Sequence, residues 1–303
     1  MVLSLVARGA PCSLRGAASQ PRSFFLPPGK YIPACGYTIF TRNAAIPEGG
    51  EGFINLKGIS IGDGAMSPPD QFRNFGPLLY YIGMINAAER EVFETYETKY
   101  EGLLDSGDLV GAFEVFDEML NGDFQVYPTY YNNVTGMTNY FNFEQGDDGS
   151  GKVDYYPDWL ATTAGRNAVH VGDLPYDSFN QSVETFLKGD WMRGVVDMLT
   201  PLMDSNDVKV MVYSGQNDVI LGAPLTEQFL QGLDWSGQSE FTEASKQVWR
   251  IEDAADPIAG YITRAPSKNF TYAVIRGAGH MVPGDQPQRS SDLIQRFVTD
   301  TWF

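Results

Sequence analysis

The stretch Val208-Lys209-Val210-Met211-Val212-Tyr213-Ser214-Gly215-Gln216-Asn217-Asp218 decides how the rest of the chain is read. Its apolar run, closed by Ser214-Gly215, has the pattern of a short buried strand ending in a turn. That turn delivers Asp218. A second run, Phe270 to Arg276, ends in the same way at Gly277-Ala278-Gly279 and delivers His280. Glycines let the backbone turn without a Cβ clash, and in an open α/β sheet functional groups gather at the carboxyl ends of strands. An Asp followed later by a His at strand ends is the chain order of the last two members of a Ser-Asp-His triad. His280 would act as general base and then acid, with Asp218 orienting the imidazole and stabilising its cation. Taken singly, each also fits an ordinary hydrogen-bonded turn residue.

Working outward, Phe53 to Ile61 reads as another strand, stopping at the loop Gly62-Asp63-Gly64. Val248 to Ile251 and Gly260 to Thr263 read as two more. Between the early and late strands the pattern turns helical. Ala87, Ala88, Val92, Phe93, Tyr96, Tyr100, Leu103 and Leu104 recur at steps of three and four, and Leu109, Phe113, Phe116 and Leu120 repeat the pattern behind a cap at Asp105 or Ser106. Residues 123 to 156 read as a surface loop rich in Tyr, Asn, Gly and Asp. Its aromatic cluster, Tyr127, Tyr130, Tyr131, Tyr140, Phe141 and Phe143, either lines a peptide cleft or packs beneath the loop. Helices are expected around 157–168, within 176–203 and over 288–302. His170 reads as a residue at a helix C-terminus. The fold class is therefore α/β, with a helical insertion at about 72–205.

Composition excludes several classes. Lys and Arg number 21 against 38 Asp and Glu, a formal charge of −17 that would repel nucleic acid. The sequence has no run of 18 or more uncharged apolar residues of the kind that spans a membrane. Two cysteines, Cys12 and Cys35, make neither a disulfide framework nor a zinc site, and no metal or cofactor is called for. The acidic excess is uneven: Met1 to Pro47 holds no Asp or Glu. Residues 1–28 are Arg-, Ser- and Ala-rich, which fits either an organelle-targeting leader or a non-native extension, and they are expected to be disordered.

Five stretches carry a resemblance: G-K-Y-I-P-A (Gly29 to Ala34), I-N-L-K-G-I-S-I-G-D-G (Ile54 to Gly64), A-V-H-V-G (Ala168 to Gly172), V-Y-S-G-Q-N-D (Val212 to Asp218) and R-G-A-G-H-M-V-P-G-D-Q-P (Arg276 to Pro287). From Gly29 to the C-terminus the chain resembles the serine carboxypeptidases, vitellogenic-like members above all. The resemblance implies an α/β-hydrolase with a helical cap that releases C-terminal residues from peptides at acidic pH, in lysosomal or secreted proteins. It matches Asp218 and His280 to the catalytic Asp and His, and Met281 to a residue lining the pocket for the departing residue.

The same resemblance exposes a departure. Where the family has G-E-S-Y before G-K-Y, presenting the nucleophilic Ser, this chain has Phe25-Leu26-Pro27-Pro28. Leu26 stands at the nucleophile's place and has no atom that attacks a carbonyl, while the prolines remove backbone donors from an oxyanion site. Ser23 is three residues out of register. The family's N-terminal half, with further strands and oxyanion donors, has no counterpart, so the sheet is expected to be incomplete with one edge unpaired. Three readings follow: a truncated and inactive relative, an active enzyme whose true N-terminus was lost from the gene model, or a non-catalytic peptide-binding protein. Peptide or protein C-termini are the substrate class that the resemblance implies. Asn133, Asn180 and Asn269 begin N-glycosylation tripeptides.

Overall fold

A computed structural model of the chain describes residues 2–5, 28–124, 128–145, 156–176, 180–252 and 256–302. Six strands, β1 (Val2–Leu5), β2 (Gly58–Gly62), β3 (Lys209–Gly215), β4 (Gln247–Arg250), β5 (Ile258–Ala265) and β6 (Phe270–Ile275), form one sheet in the order β1-β2-β3-β6-β5-β4. The first four in that order run parallel, and β6-β5-β4 closes the sheet antiparallel.

The central strands are buried on both faces, and their side chains divide by alternation. Val210 and Val212 of β3 join Phe270, Tyr272 and Val274 of β6 in one core, whereas Met211 and Tyr213 join Ala273 and Ile275 in the other. The first core is covered by α1 (Pro28–Asn43), α10 (Val196–Asp204), α11 (Ala223–Gly232) and α12 (Gln238–Glu243), through residues including Ile32, Leu202, Leu230 and Phe241. The second is covered by α14 (Pro287–Thr299), which inserts Leu293 and Phe297.

Between β2 and β3 the chain builds α2 (Pro68–Gln71), α3 (Phe75–Tyr81), α4 (Ala87–Asp105), α5 (Leu109–Phe116), a π-helical turn (Asp117–Asn121), α6 (Tyr130–Thr135), α7 (Tyr156–Ala161), α8 (Thr163–Ala168) and α9 (Gln181–Trp191) before reaching α10. The helical periodicity read from the sequence is realised in α4, whose Asn86 accepts from the Ala88 and Glu89 amides while Glu89 accepts from the Asn86 amide. The insertion packs around a further core, with Phe72 stacked on Phe116 at 4.2 Å, that also takes in Val219, Ile220, Leu221 and Leu225 from beyond β3.

Several expectations are revised. The strand expected from Phe53 starts only at Gly58, because residues 53–57 turn beneath the C-terminus of α1, where Asn43 bonds both ways with the Ile54 backbone. The cap of α5 is Asp108, not Asp105 or Ser106, since it is the Asp108 carboxylate that reaches the Gly111 amide at 2.9 Å. The β2 edge, expected to be unpaired, carries Val2–Leu5 in parallel register with Gly58–Ile61, while residues 6–27 of the leader expected to be disordered lie outside the described residues. A bare edge presents backbone donors and acceptors that an extended segment satisfies. No helix among the described residues is long and apolar enough to cross a membrane.

Candidate active site

The parallel strands β2, β3 and β6 are neighbours, so their carboxyl ends open side by side. After β3, the Gln216 amide donates to Ile275 O at 2.9 Å and the Asn217 amide to Ala278 O at 2.7 Å, which ties the turn after β3 to the turn after β6. Two of the glycines read as turn formers serve that approach directly. A Cβ on Gly215 would overlap the carbonyl oxygen of Gly279, and one on Gly279 would overlap that of Phe141.

The two turns bring Asp218 and His280 together as the sequence indicated. His280 Nδ1 lies 2.8 Å from Asp218 Oδ2, and the two side chains are 1% and 0% exposed. The other oxygen, Asp218 Oδ1, accepts from the Leu221 amide at 3.2 Å. The His280 amide donates to Phe141 O at 2.7 Å, and the Phe141 ring sits 5.4 Å from the imidazole. A carboxylate acceptor at Nδ1 fixes the tautomer that leaves Nε2 as the basic nitrogen. A basic Nε2 of this kind can accept a proton from a hydroxyl and return it to a leaving group.

A third carboxyl completes the cluster. Asp63, at the end of β2, is buried and hydrogen-bonded to Asp218; its Oδ1 accepts from the Gly215 amide at 2.8 Å, and its own amide donates to Tyr213 O at 2.8 Å. Burial first, and then the Asp218 charge, holds its proton well above the ordinary carboxylate range, against the pull of the Gly215 N–H. One ligand atom each from Asp63, Asp218 and His280 lies within 4.8 Å of the others, the spacing of a metal cluster. Asp218 Oδ2 already faces His280 Nδ1, and Asp63 Oδ1 already accepts from Gly215, so the geometry is that of a hydrogen-bonded chain.

The segment 139–145, expected as surface loop, clamps this site. Tyr140 O accepts from the amides of Val219 and Ile220, the Phe143 amide donates to Asn217 O at 3.1 Å, and Asn142 Nδ2 donates to Asp285 Oδ2 at 2.9 Å. Asp285, in α13 (Val282–Asp285), also accepts from the Gly279 amide. The aromatic cluster therefore packs inward: Tyr131 and Tyr140 are buried, Phe141 and Phe143 are half-buried, and Tyr127 lies outside the described residues. Sequence reasoning missed Asp63 and this clamp. The signal for Asp63 was present in an acid standing at a strand end between two glycines.

Met281 is half-buried directly after His280, where its carbonyl accepts from the Gly284 and Asp285 amides. Leu26 and Ser23 lie outside the described residues. His170 follows α8 on an exposed left-handed turn, its amide donating to Asn167 O. Asn133 and Asn180 are exposed, and Asn180 caps α9; Asn269 is half-buried and its Nδ2 donates to Asn206 O.

The chain matches the serine carboxypeptidase family over residues 28–300. It is 36% identical to the venom serine carboxypeptidase of Apis mellifera over 275 residues, which is 91% of this chain and 56% of that one. It is 37% identical over 270 residues to the probable serine carboxypeptidase CPVL of Homo sapiens, covering 89% of this chain and 55% of that one. The chain thus spans about half the length of these curated relatives. Among solved structures it resembles Kex1(Δ)p, a prohormone-processing carboxypeptidase from Saccharomyces cerevisiae, with a TM-score of 0.69 at 18% identity, over 90% of this chain and 60% of that one. The fold is accordingly that of an α/β-hydrolase, and the chain belongs to the serine carboxypeptidase family.

Proposed function

We propose that this chain carries the acid-base half of a serine carboxypeptidase centre acting on peptide C-termini, and that the sequence as given is hydrolytically silent. The observation that carries the reading is the buried 2.8 Å contact between His280 Nδ1 and Asp218 Oδ2 at adjacent strand ends. In the reaction a serine hydroxyl would attack the scissile carbonyl while His280 takes its proton and passes it to the leaving amino acid; Asp218 holds the imidazole and stabilises its cation. Gly29 packs so closely on the Gly64 and Ala65 backbone that a side chain there would overlap it. The start of α1 therefore lies against the turn that follows Asp63. The residues that precede Gly29 in sequence read Phe25-Leu26-Pro27-Pro28, which hold no hydroxyl or thiol to serve as nucleophile. Met281 as part of the pocket for the departing residue, the three asparagines as glycan acceptors, and a lysosomal or secreted location belong to the same reading. The purified chain is expected to resist an active-site-directed fluorophosphonate; stoichiometric labelling of any serine would overturn the silent state.

The span of about half of each relative supports a second reading, in which a longer product carries a nucleophile ahead of Gly29. Sequencing the transcript's 5′ end checks it. An in-frame G-E-S-Y upstream of Gly29 makes that product an active carboxypeptidase, and continuous coding of the present leader excludes it.

A further inference from the structure

Asp63 adopts a backbone conformation that few side chains accept. Its φ is +42°, in the left-handed region, although glycines stand on both sides of it. A strained residue persists where its surroundings over-determine it. Asp63 is held on three sides: its amide by Tyr213 O, its Oδ1 by the Gly215 amide, and its carboxyl by that of Asp218. It thereby joins the end of β2 to the turn that carries Asp218, and the contact continues to His280.

Two carboxyl groups in hydrogen-bonding contact away from water cannot both be ionised, and they share one proton. Asp63 is the one whose proton burial holds, while Asp218 faces the imidazole Nδ1 and accepts from the Leu221 amide. The other groups around Asp63 reinforce this division. Asp285 in α13 adds negative charge, and Tyr213 in β3 and Tyr272 in β6 are buried phenols whose own protons are held by burial.

We infer that Asp63 is a positioning residue: its neutral carboxyl donates a hydrogen bond to Asp218 and fixes the orientation in which Asp218 receives the Nδ1–H of His280. The inference rests on reading Asp218 and His280 as the acid-base pair, but it concerns their geometry and needs no turnover. Asp63 would act through Asp218, without touching substrate.

The test uses the full chain, labelled with 13C at aspartate carboxyls and 15N at histidine. Only His280 and His170 contribute histidine signals, and His170 on its exposed turn reports that the rest of the spectrum is unchanged. In the wild type, the Asp63 carboxyl resonance is expected to stay at its protonated position as the pH is raised from about 4 to 7, through the ordinary carboxylate range. Asp63→Asn supplies an N–H donor in place of O–H and should keep the downfield Nδ1–H resonance of His280. Asp63→Ala should lose that resonance while the His170 signal stays in place. Titration of Asp63 as an ordinary carboxylate would overturn the inference, as would loss of the Nδ1–H signal in a folded Asp63→Asn or its survival in a folded Asp63→Ala. Should Asp63→Ala not fold, the wild-type titration and Asp63→Asn still decide. Fluorophosphonate labelling of the wild type would strike the silent state of the chain and leave these signals untouched, so the two readings fail separately.

Discussion

Among the described residues, two places bury a pair of hydrogen-bonded carboxyl groups, and they differ in whether a base stands beside the pair. At the strand ends, Asp63 and Asp218 lie against His280. In the helical insertion, Asp123 pairs with Glu184 of α9, with Asn121 and Asp117 beside it. Asn121 Nδ2 donates to Asp123 Oδ2 at 2.8 Å, and Asp117 accepts from the amides of Asp123 and Phe124. Lys188 of α9 lies 4.0 Å over the Phe124 ring and pairs with Glu114 at 3.4 Å. Both sites retain protons that water would remove, since burial raises Asp63 and takes Asp123 up to about 9. Displaced acidity therefore does not single out the functional site. The strand-end cluster differs in containing a base, and in lying at the parallel strand ends where an α/β sheet gathers its chemistry.

The largest test of this contrast is His280→Ala. It leaves the Asp218 carboxyl buried beside Asp63 without its imidazole, and should cost about 3 kcal/mol or more in urea unfolding. A loss below about 1 kcal/mol would show that the strand-end cluster is no more tightly coupled than a surface ion pair. Next comes Asp117→Ala, which removes the acceptor of two backbone amides in the insertion and is expected to cost about 2 kcal/mol by the same measurement. Unchanged stability would mean that the π-helical turn holds its shape without that carboxylate.

The smallest effect is a pH dependence. Asp123 in the fold keeps a proton that the unfolded chain loses near the ordinary Asp value, so its contribution is complete below about pH 4 and declines as pH rises toward its folded value of about 9. Stability should therefore fall from pH 5 to pH 8. Asp123→Asn, which can still accept from Asn121 and donate to Glu184, should flatten that slope and gain on the wild type as the pH rises from 5 to 8. Identical slopes in variant and wild type would remove Asp123 from the insertion's proton-holding pair.

Much of the strand-end site was legible because its local signals agree with the global fold. The buried run Val208 to Tyr213 and the glycines at 215, 277 and 279 each announce a strand that ends in a turn, and the structure puts β3 and β6 side by side. Asp63 was less visible, since an acid between two glycines has the local pattern of a turn, and its role depends on contacts with residues more than 150 positions away. Helix α1 was missed too. Pro33 and Gly36 interrupt its pattern, yet Gly36 lets the helix approach Ile59 and Leu202, where a side chain would crowd both. The clamp at 139–145 has the polar, Asn-rich composition of a surface loop, and only its backbone bonds to the two strand ends reveal its work. The helices were plain where an apolar stripe repeats, as in α4, and misjudged where a single cap chooses the start, as at Asp108.

The pairing of β2 with β3 also bears on how the protein reaches this structure. Gly62 and Lys209 stand at the ends of a loop of about 150 residues, and joining such distant points in a featureless chain costs about 4 kcal/mol of closure entropy before any contact is gained. The insertion fills that loop with helices whose core comes mostly from the insertion itself, with Val219, Ile220, Leu221 and Leu225 joining from beyond β3, which shortens the distance the chain must search. Formation of the insertion is thus expected to precede closure of the sheet, with the strand-end cluster assembling last because its three residues come from strands that meet only at that step.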